Sequence, residues 1–334
     1  MKRKLFSMLL SAFALLLLMG AAEVPEQAEL ILAQEESVAV VDEQMLETDI
    51  QLEVNDVSAE GEEKPEATDE TQQTAEEPAV LFDELVLIDG QPAPIEIGRI
   101  QSEGTTYVSL AAMAKALDES AAAAWDGSTG TVTVTTANLT MTARLGDHYV
   151  IANGRYLYVA ECVGQSNGTV MVPMSVVTKA FDAKLNWDAA SGKIHVQRGS
   201  GALAHGDAFY NQEDLFWLSR VIFAESGNEP LEGQVAVGNV VLNRTACDQY
   251  PDTIKGVIFD KKYGVQFTPS TNGAIYKTPS EESVMAAKLV LEGARTVPEN
   301  TLYFIATKVS DSHWIKRACQ LITTIGGHGF FADK

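Results

Sequence analysis

The middle of this 334-residue chain repeats itself, and the repeat limits how that region can fold. Residues 106–117 match residues 170–181 at an offset of 64, and Trp125 matches Trp187 after a two-residue difference. Each copy reads as a strand, a short helix, a strand ending in Trp-Asp, a glycine turn and an alternating strand. One such unit cannot bury its own apolar face, whereas two together can. We therefore predict one α+β domain over residues 81–198, with core packing as the role of both tryptophans.

The repeated motifs resemble the stalk-like domain at the N-terminus of copper amine oxidases, which is common on exported bacterial proteins. The resemblance implies a spacer or a wall-binding module, and attachment to the cell wall through this region is expected. Copper chemistry belongs to a different domain of those oxidases, so none is expected here. The histidines of the repeat, His148 and His195, are isolated and do not form a metal-ligand pattern.

A second constraint comes from the run over residues 214–234. Leu215, Leu218 and Ile222 lie three or four residues apart and so share one face of a helix. Glu225 continues that face at the C-terminal end, where burial and the negative end of the helix dipole both favour a protonated carboxyl. A glutamate with a raised pKa is what a general acid near neutral pH requires.

The alternative reading of Glu225 is a rim carboxylate that reaches solvent or pairs with Arg220 or Arg244. Turn residues set the helix limits. The first helix is predicted to end at residues 226–227, and Pro230 is expected at the first position of a second helix. That helix runs to about residue 245. Residues 278–281 read as a capping box that starts a third helix, which continues to about residue 293.

Residues 218–244 closely resemble the opening of the cell wall hydrolase family of the spore cortex-lytic enzymes. Further matching motifs follow in order: 250–259, 266–269 with 272–273, 302–304 and 325–330. The resemblance implies a mainly α, lysozyme-like catalytic domain with a small β element over residues 213–334. It also implies a peptidoglycan-lytic enzyme, most simply a lytic transglycosylase with a single glutamate, and Glu225 matches that acid.

The resemblance suggests a set of substrate-binding residues, because amides suit sugar hydroxyls and aromatic rings suit sugar faces. These are Glu229, Gln234, Gln266, Phe267, Thr268, Asn272, Tyr303 and His328. Each of them could instead serve packing or loop structure, and Glu229 could cap the second helix. An ordinary glycosidase would need a second carboxylate. The nearest in sequence are Glu229, Glu232, Asp248 and Asp252, and none stands out.

Two features depart from the family pattern. Residues 226–228 read Ser-Gly-Asn, where family members often carry an Ala-Arg-Gly-like run, so the glycan preference stays open. Three cysteines are an odd number for an exported protein; Cys247 and Cys319 could bridge, which would leave Cys162 over. Their spacing lacks paired C-x-x-C ligands, so neither a zinc site nor any other metal or cofactor is predicted.

Two other functions remain open. A zinc-dependent N-acetylmuramoyl-L-alanine amidase would cut the peptide from muramic acid, but the histidines near this domain show no H-E-x-x-H spacing. A non-catalytic wall-binding protein would have no need of Glu225 and its adjoining motif. The sequence does not distinguish spore cortex from vegetative wall as the substrate.

The N-terminal region predicts export. Residues 1–22 read as a signal peptide, with a basic start, an apolar run of about 15 residues that is too short to span a bilayer comfortably, and small residues at the cleavage site. Residues 23–80 read as an acidic linker holding 19 carboxylates against one lysine, within a net charge of -22 for the chain. We expect a secreted or wall-associated protein without a membrane span, and this charge disfavours nucleic acid as a partner. Residues 199–212 are predicted to be a hinge that is flexible over 199–206.

Overall fold

The computed structural model describes residues 82–262, 264–307 and 313–334. The predicted signal peptide and acidic linker lie outside these residues. The strands are β1 (Phe82–Ile88), β2 (Gln91–Pro94), β3 (Arg99–Ser102), β4 (Thr105–Ser109), β5 (Ala122–Asp126), β6 (Thr131–Thr135), β7 (Thr140–Arg144), β8 (Tyr149–Ala152), β9 (Arg155–Tyr158), β10 (Gly164–Ser166), β11 (Thr169–Pro173), β12 (Lys184–Asp188), β13 (Lys193–Gln197), β14 (Thr301–Ala306), β15 (Cys319–Ile325) and β16 (His328–Asp333).

The helices of the same ranges are α1 (Leu110–Leu117), α2 (Met174–Ala180), α3 (Gly206–Phe209), α4 (Gln212–Ser226), α5 (Leu231–Thr245), α6 (Ile254–Phe259), α7 (Pro269–Asn272), α8 (Glu281–Leu291) and α9 (His313–Ala318). Two single 3-10 turns cover Ile95–Ile97 and Ala274–Tyr276. Within the described part of the chain, every helix is too short or too polar to cross a lipid bilayer.

The two copies of the repeat fold alike, as predicted. The first copy is β4, α1, β5 and β6, and the second is β11, α2, β12 and β13. Even the register agrees, because Trp125 pairs with Val132 and Trp187 pairs with Ile194 in the two hairpins. Strand β4 pairs with β11 and so joins the copies. Apolar side chains from both copies form one shared core, in agreement with the prediction that the two copies bury their apolar faces together.

Three sheets surround that core. Their strand orders are β12-β13-β1-β2, β10-β11-β4-β3 and β5-β6-β7-β8-β9. Strand β1 pairs with β13 in parallel, so the first and last strands of the middle region are neighbours in one sheet. The middle region is therefore rich in β structure.

The predicted core packing of the two repeat tryptophans is wrong. Trp125 is 51% exposed and Trp187 is 57% exposed, so neither is packed in the core. The reason is topological: β5 and β12 are both edge strands, each paired with one neighbour only. A ring on such a strand extends past the last core residue and meets solvent.

The C-terminal region is mixed α and β. Helices α4, α5 and α8 pack together around a second apolar core, and the sheet β14-β16-β15 lies against α5. The helices approach closely at Gly238, where an added Cβ would lie 2.8 Å from Val290 and 3.0 Å from Ile222. Of the two segments predicted as strands or cleft loops, residues 302–306 belong to β14, and residues 265–268 form a loop before α7.

Helix limits differ from the predicted ones at two starts. Helix α4 ends at Ser226 as predicted, and Gly227 caps it. Pro230 is the N-cap of α5 and thus stands one residue outside the helix. The cap of α8 is Ser280, whose hydroxyl accepts a hydrogen bond from the backbone N–H of Ser283 at 3.1 Å. The predicted capping box over 278–281 is therefore shifted.

The segment predicted to be a flexible hinge is anchored instead. Leu203 is buried in the core of the middle region, and its N–H donates to the carbonyl of Ala180 at 3.0 Å. The N–H of Gly206 donates to the carbonyl of Asn153 at 2.9 Å. The glycine-rich composition of residues 199–206 predicted a flexible backbone, but long-range contacts hold this segment in place. All three cysteines are free thiols, so the possible bridge between Cys247 and Cys319 is not formed.

A buried ion cluster joins the middle and C-terminal regions, which belong to the same compact unit. Glu292, just after α8, has a side chain only 1% exposed. Its carboxylate binds Arg155 at 2.5 Å and Lys179 at 2.9 Å, and it accepts a hydrogen bond from the hydroxyl of Tyr210 at 3.1 Å. Burial alone would raise the pKa of Glu292, but the hydrogen bonds from these cations hold it below its usual value.

Candidate active site

Glu225 lies at the C-terminal end of α4, on the face that the sequence predicted. Leu218 and Ile222 on the same face are fully buried, while Glu225 itself is partly exposed. The hydroxyl of Ser226 donates to the carbonyl of Ile222 at 2.9 Å. An added Cβ at Gly227 would lie 2.6 Å from the carbonyl oxygen of Phe223, so this tight cap suits glycine. The helix therefore ends directly after Glu225 and leaves its carboxyl at a cleft.

The cleft has a volume of about 330 Å³. Residues 223–229 form one wall, and Ala274 and Lys277 form the other. Local hydrogen bonding shapes the second wall, because the amide oxygen of Asn272 accepts from the N–H of Ala274 at 2.9 Å. Gly273 has φ +84, a conformation that favours glycine. The cleft thus brings the carboxyls of Glu225 and Glu229 together with Lys277, which lies 52 residues after Glu225 in the chain.

Burial raises the pKa of Glu225 to about 7, and the positive charge of Arg244 opposes part of that rise. Removal from water disfavours the ionised form of a carboxyl more than the distant cation favours it. Near neutral pH, Glu225 therefore exists in both protonation states. Such a group can donate a proton to a leaving oxygen and can later accept one.

Arg244 forms the buried support of this site. Its Nε donates to the carbonyl of Leu302 at 2.8 Å, and its guanidinium contacts three aromatic rings, those of Tyr250, Phe267 and Tyr303. Its Nη1 is buried without a hydrogen-bond partner in the described protein. Burial lowers the pKa of Arg244 from its ordinary value. The aromatic cage and the Leu302 bond hold this cation in one place, so its effect on Glu225 is fixed by the fold.

Glu229 is tied to the C-terminal hairpin. Its Oε2 accepts a hydrogen bond from the N–H of Gly327 at 2.7 Å, and its Oε1 lies 3.5 Å from Nδ1 of His328. At Gly326 an added Cβ would lie 2.0 Å from Oε2 of Glu229, so the carboxylate occupies the space beside the turn between β15 and β16. Glu229 lines the cleft, but its carboxylate contacts that turn. It does not cap α5, because this helix has no side-chain cap.

Three further predicted site residues are built into the interior. Gln234 is fully buried; its Oε1 accepts from the hydroxyl of Ser283 at 2.7 Å, and its Nε2 donates to the carbonyl of Glu229 at 3.0 Å. Phe267 is 1% exposed and His328 is 9% exposed. Both rings pack against Phe304. The contacts of these three side chains are those of supports for the cleft walls.

The other four predicted residues lie nearer the surface. Thr268 and Asn272 are exposed on the segment that packs beside α4. Gln266 is half-buried, and its Nε2 donates to the carbonyl of Gly264 at 3.2 Å. Tyr303 is half-buried; burial, followed by hydrogen bonding with Tyr250 and Asp333, raises its pKa well above the usual range.

Sequence reasoning missed both residues of the second wall, Ala274 and Lys277, and the supporting role of Arg244. Arg244 entered only as a possible ion-pair partner for Glu225. No local pattern marks Lys277, because its place in the cleft depends on how the loop between α7 and α8 folds back on α4. Within the described ranges, no three His, Cys, Asp or Glu side chains are grouped so that they could hold a metal ion.

Comparison with known families agrees with both resemblances. Residues 228–331 match the family model described as Cell Wall Hydrolase, and residues 87–196 match the one described as Copper amine oxidase N-terminal domain. The first match begins three residues after Glu225 and contains the hairpin that holds Glu229.

Similar proteins match the C-terminal part of the chain. A spore cortex-lytic enzyme from Bacillus cereus is 36% identical over 121 residues, which are 36% of this chain and 45% of that protein. One from Oceanobacillus iheyensis is 32% identical over 149 residues, 45% of this chain and 52% of that protein. The chain thus spans about half the length of these relatives.

A solved structure is also similar in sequence. The catalytic domain of the germination-specific lytic transglycosylase SleB from Bacillus anthracis is 33% identical, with a TM-score of 0.34. The similarity covers 39% of this chain and 99% of that domain. The family matches identify the two regions: residues 228–331 form a cell wall hydrolase domain, and residues 87–196 form a copper amine oxidase N-terminal domain.

Proposed function

We propose that this protein cleaves the glycan backbone of peptidoglycan, between N-acetylmuramic acid and N-acetylglucosamine, as a lytic transglycosylase. The observation that carries the proposal is Glu225, a carboxyl with a pKa of about 7 at the wall of a cleft. The names of the similar proteins, spore cortex-lytic enzymes and a lytic transglycosylase, support the same chemistry.

In the proposed reaction Glu225 acts twice. Its protonated carboxyl gives the proton to the bridging oxygen as the bond from the muramic C1 to that oxygen breaks. The C6 hydroxyl of the same sugar then attacks C1, and the ionised Glu225 takes the hydroxyl proton. The products are a free hydroxyl on the leaving sugar and a 1,6-anhydro ring, and Glu225 ends protonated. No water is consumed, and the nucleophile is already in place.

The contacts of Glu229 favour this route over ordinary hydrolysis. A hydrolase needs a second carboxylate that is free to activate water or to attack C1. Glu229 also lines the cleft, and its Oε2 already accepts the Gly327 hydrogen bond at 2.7 Å. A carboxylate oxygen that accepts this backbone hydrogen bond is not free to activate water or to attack C1. We also propose that the C-terminal domain has the lysozyme-like architecture that the resemblance implies.

We further propose that the protein acts outside the cytoplasm, as the predicted signal peptide and the wall hydrolase domain suggest together. Lys277 is exposed and lines the cleft, and Thr268 and Asn272 are exposed on the segment that precedes it; these three side chains are proposed to contact the glycan. Cortex and vegetative peptidoglycan are both possible substrates. Mass spectrometry of the muropeptides released from each would identify the preferred one.

Two measurements test the reaction. Glu225→Gln keeps the shape of the side chain and removes the proton, so lysis should fall by at least about 100-fold. Digestion by the wild-type chain in oxygen-18 water should give ends of 1,6-anhydro-muramic acid that carry no label. Label at new reducing ends would instead mean that water is the nucleophile, and full activity of Glu225→Gln would remove Glu225 from the mechanism.

The same experiment separates the alternatives. An amidase would release peptides while leaving the glycan strands intact, and its activity would be lost on chelation of zinc. A non-catalytic wall-binding protein would release neither product. Anhydro-muropeptides from the wild-type chain and none from Glu225→Gln would exclude both.

A further inference from the structure

The exposed Trp187 stands beside a groove of the middle region that is separate from the Glu225 cleft. Trp187 lies on the edge strand β12, and 57% of its surface is exposed. The groove next to it has a volume of about 380 Å³, which is within the range of small-ligand sites. One side is β12, and the other is the start of α2 together with the turn between β3 and β4.

The lining of the groove combines an apolar floor with a polar rim. Met174 and Ile194 are buried beneath it, and Leu185 stands beside Trp187 on the same side of β12. The rim carries the amide of Gln101 and the hydroxyls of Thr105, Thr106 and Ser175. None of the nine residues that line the groove carries a charge.

This chemistry fits an uncharged sugar better than other ligands. A flat exposed indole offers its face to the C–H groups of a pyranose ring, and amides and hydroxyls on the rim match sugar hydroxyls. An apolar floor suits the methyl of an acetamido group. A nucleic acid or an anionic lipid would require cationic side chains, which the lining lacks.

We infer that this groove binds N-acetylated sugars of a glycan strand, as a second glycan site distinct from the catalytic cleft. The inference takes its choice of glycan partly from the proposed function, since a wall-lytic enzyme gains from a second hold on its insoluble substrate. The location of the site is inferred from the exposed ring of Trp187, and the class of ligand is inferred from the uncharged polar rim of the groove.

The first copy of the repeat supplies a natural control. Trp125 occupies the equivalent position on the other edge strand and is 51% exposed. At the repeat offset of 64, Thr106 corresponds to Val170 and Ser175 corresponds to Ala111. The place around Trp125 therefore keeps the aromatic ring and lacks two of the hydroxyls that would bind sugar.

The test measures binding without cleavage. The full-length chain carrying Glu225→Gln is incubated with purified, teichoic-acid-free sacculi, and the bound fraction is measured by sedimentation over a range of sacculus concentrations. We expect Trp187→Ala to weaken binding about tenfold, because one stacked aromatic contact with its buried area is of that order. Trp187→Tyr keeps a flat ring and should restore much of the affinity.

Trp125→Ala is the matched control and should bind as the parent does. Circular dichroism of each variant shows whether it is folded, and the double variant Thr106→Val with Ser175→Ala tests the rim without touching the ring. The same comparison with soluble N-acetylglucosamine tetramer, followed by tryptophan fluorescence, distinguishes sugar binding from attachment to wall peptides.

Equal binding of Trp187→Ala and the parent would overturn the inference, as would an equal loss in Trp125→Ala, which would indicate general adhesion of exposed aromatic rings. These outcomes are independent of the proposed reaction. If oxygen-18 digestion assigned hydrolysis, the binding result would still stand, and failure of binding would leave the reaction at Glu225 unaffected.

Discussion

The carboxylate of Glu229 accepts a hydrogen bond of 2.7 Å from the backbone N–H of Gly327, a residue 98 positions further along the chain. This bond connects the loop after α4 to the turn of the C-terminal hairpin. The loop carries one wall of the cleft, so the hairpin helps to fix the wall beside Glu225. Glu229 is in this view a positioning residue.

The first prediction concerns that bond. Glu229→Ala leaves the partly buried N–H of Gly327 without its acceptor and should lower the free energy of unfolding by about 1–3 kcal/mol. Glu229→Gln still offers an amide oxygen and should lose less. Urea unfolding of the three proteins measures the difference. If Glu229→Ala unfolds at the same urea concentration as wild type, the bond does not support the loop.

The second prediction uses glycine. Gly326→Ala places a Cβ against the Glu229 carboxylate and also strains a backbone with φ +55, so it should destabilise the protein by at least about 1 kcal/mol. Gly90→Ala is the matched control, with φ +81 and open space around it, and measures strain alone. In a Glu229→Ala background the extra penalty at Gly326 should shrink, because only the 3.0 Å approach to Cδ of Pro230 remains. If Gly326→Ala destabilised the Glu229→Ala variant as much as it destabilises wild type, the clash would not involve the Glu229 carboxylate.

A third prediction follows from the raised pKa of Glu225. Its pKa is about 7 in the folded protein against a usual value of 4.5, so the folded state binds more protons between these values. Stability conferred by Glu225 is therefore fully present below pH 4.5 and is lost as the pH rises to about 7, by up to about 3 kcal/mol. Glu225→Gln should be more stable than wild type at pH 8 and similar at pH 4.

Unfolding curves at the two pH values provide the check, and wild-type lysis should decline as the pH rises through about 7 because the acid form disappears. A Glu225→Gln variant whose stability follows wild type at every pH would show that this carboxyl is not desolvated.

The fourth prediction concerns Arg244, whose charge lowers the pKa of Glu225. Removing that charge in Arg244→Met should move the alkaline limit of activity to higher pH. The variant should also be less stable by about 1–3 kcal/mol, because the carbonyl of Leu302 loses its donor. Arg244→Lys keeps a charge and should leave the alkaline limit nearer to that of wild type. A pH–rate profile with an unmoved limit in Arg244→Met would contradict this coupling.

The fifth prediction tests the cluster at Glu292. Glu292→Gln leaves the buried Arg155 without its counter-charge and should destabilise the protein by about 3–5 kcal/mol. Glu299→Gln is the matched control, because Glu299 is 86% exposed and lies 3.9 Å from Arg295. The pKa of Glu292 is lowered in the folded protein, so its contribution should be present above about pH 4.5 and lost as the pH falls further.

The same contacts bear on truncation. A fragment of residues 207–334 would contain the C-terminal region without the middle region. In the structure the fragment would lose Arg155 and Lys179, the partners of Glu292, and would uncover the face of α8 on which β9 packs. We expect it to melt at a lower temperature than the intact chain, as differential scanning calorimetry can measure.

The local parts of the fold could be predicted from sequence. The periodic stripe ending at Glu225 and the glycine after it determine a helix and its end through contacts a few residues apart, and α4 follows them closely. The repeat likewise predicted the order of strands and helices, because each copy carries its own turn residues.

Long-range relationships could not be predicted in this way. Trp125 and Trp187 have a pattern suited to a core, and only the strand order reveals that β5 and β12 are edges. Leu203 sits in a glycine-rich run whose composition indicates freedom, yet it is buried by strands and helices that precede it. The partner of Glu229 lies on a distant hairpin, and no local signal marks it.

The Glu292 cluster has a consequence for the fragments that the enzyme would release. Because Arg155 and Lys179 bind one buried carboxylate, we expect the middle and C-terminal regions to move together and the distance from Trp187 to Glu225 to vary little. A strand held at the first point would meet the second at a set number of sugars. The released glycan fragments would then have similar lengths. Random cleavage would instead give a broad distribution of lengths.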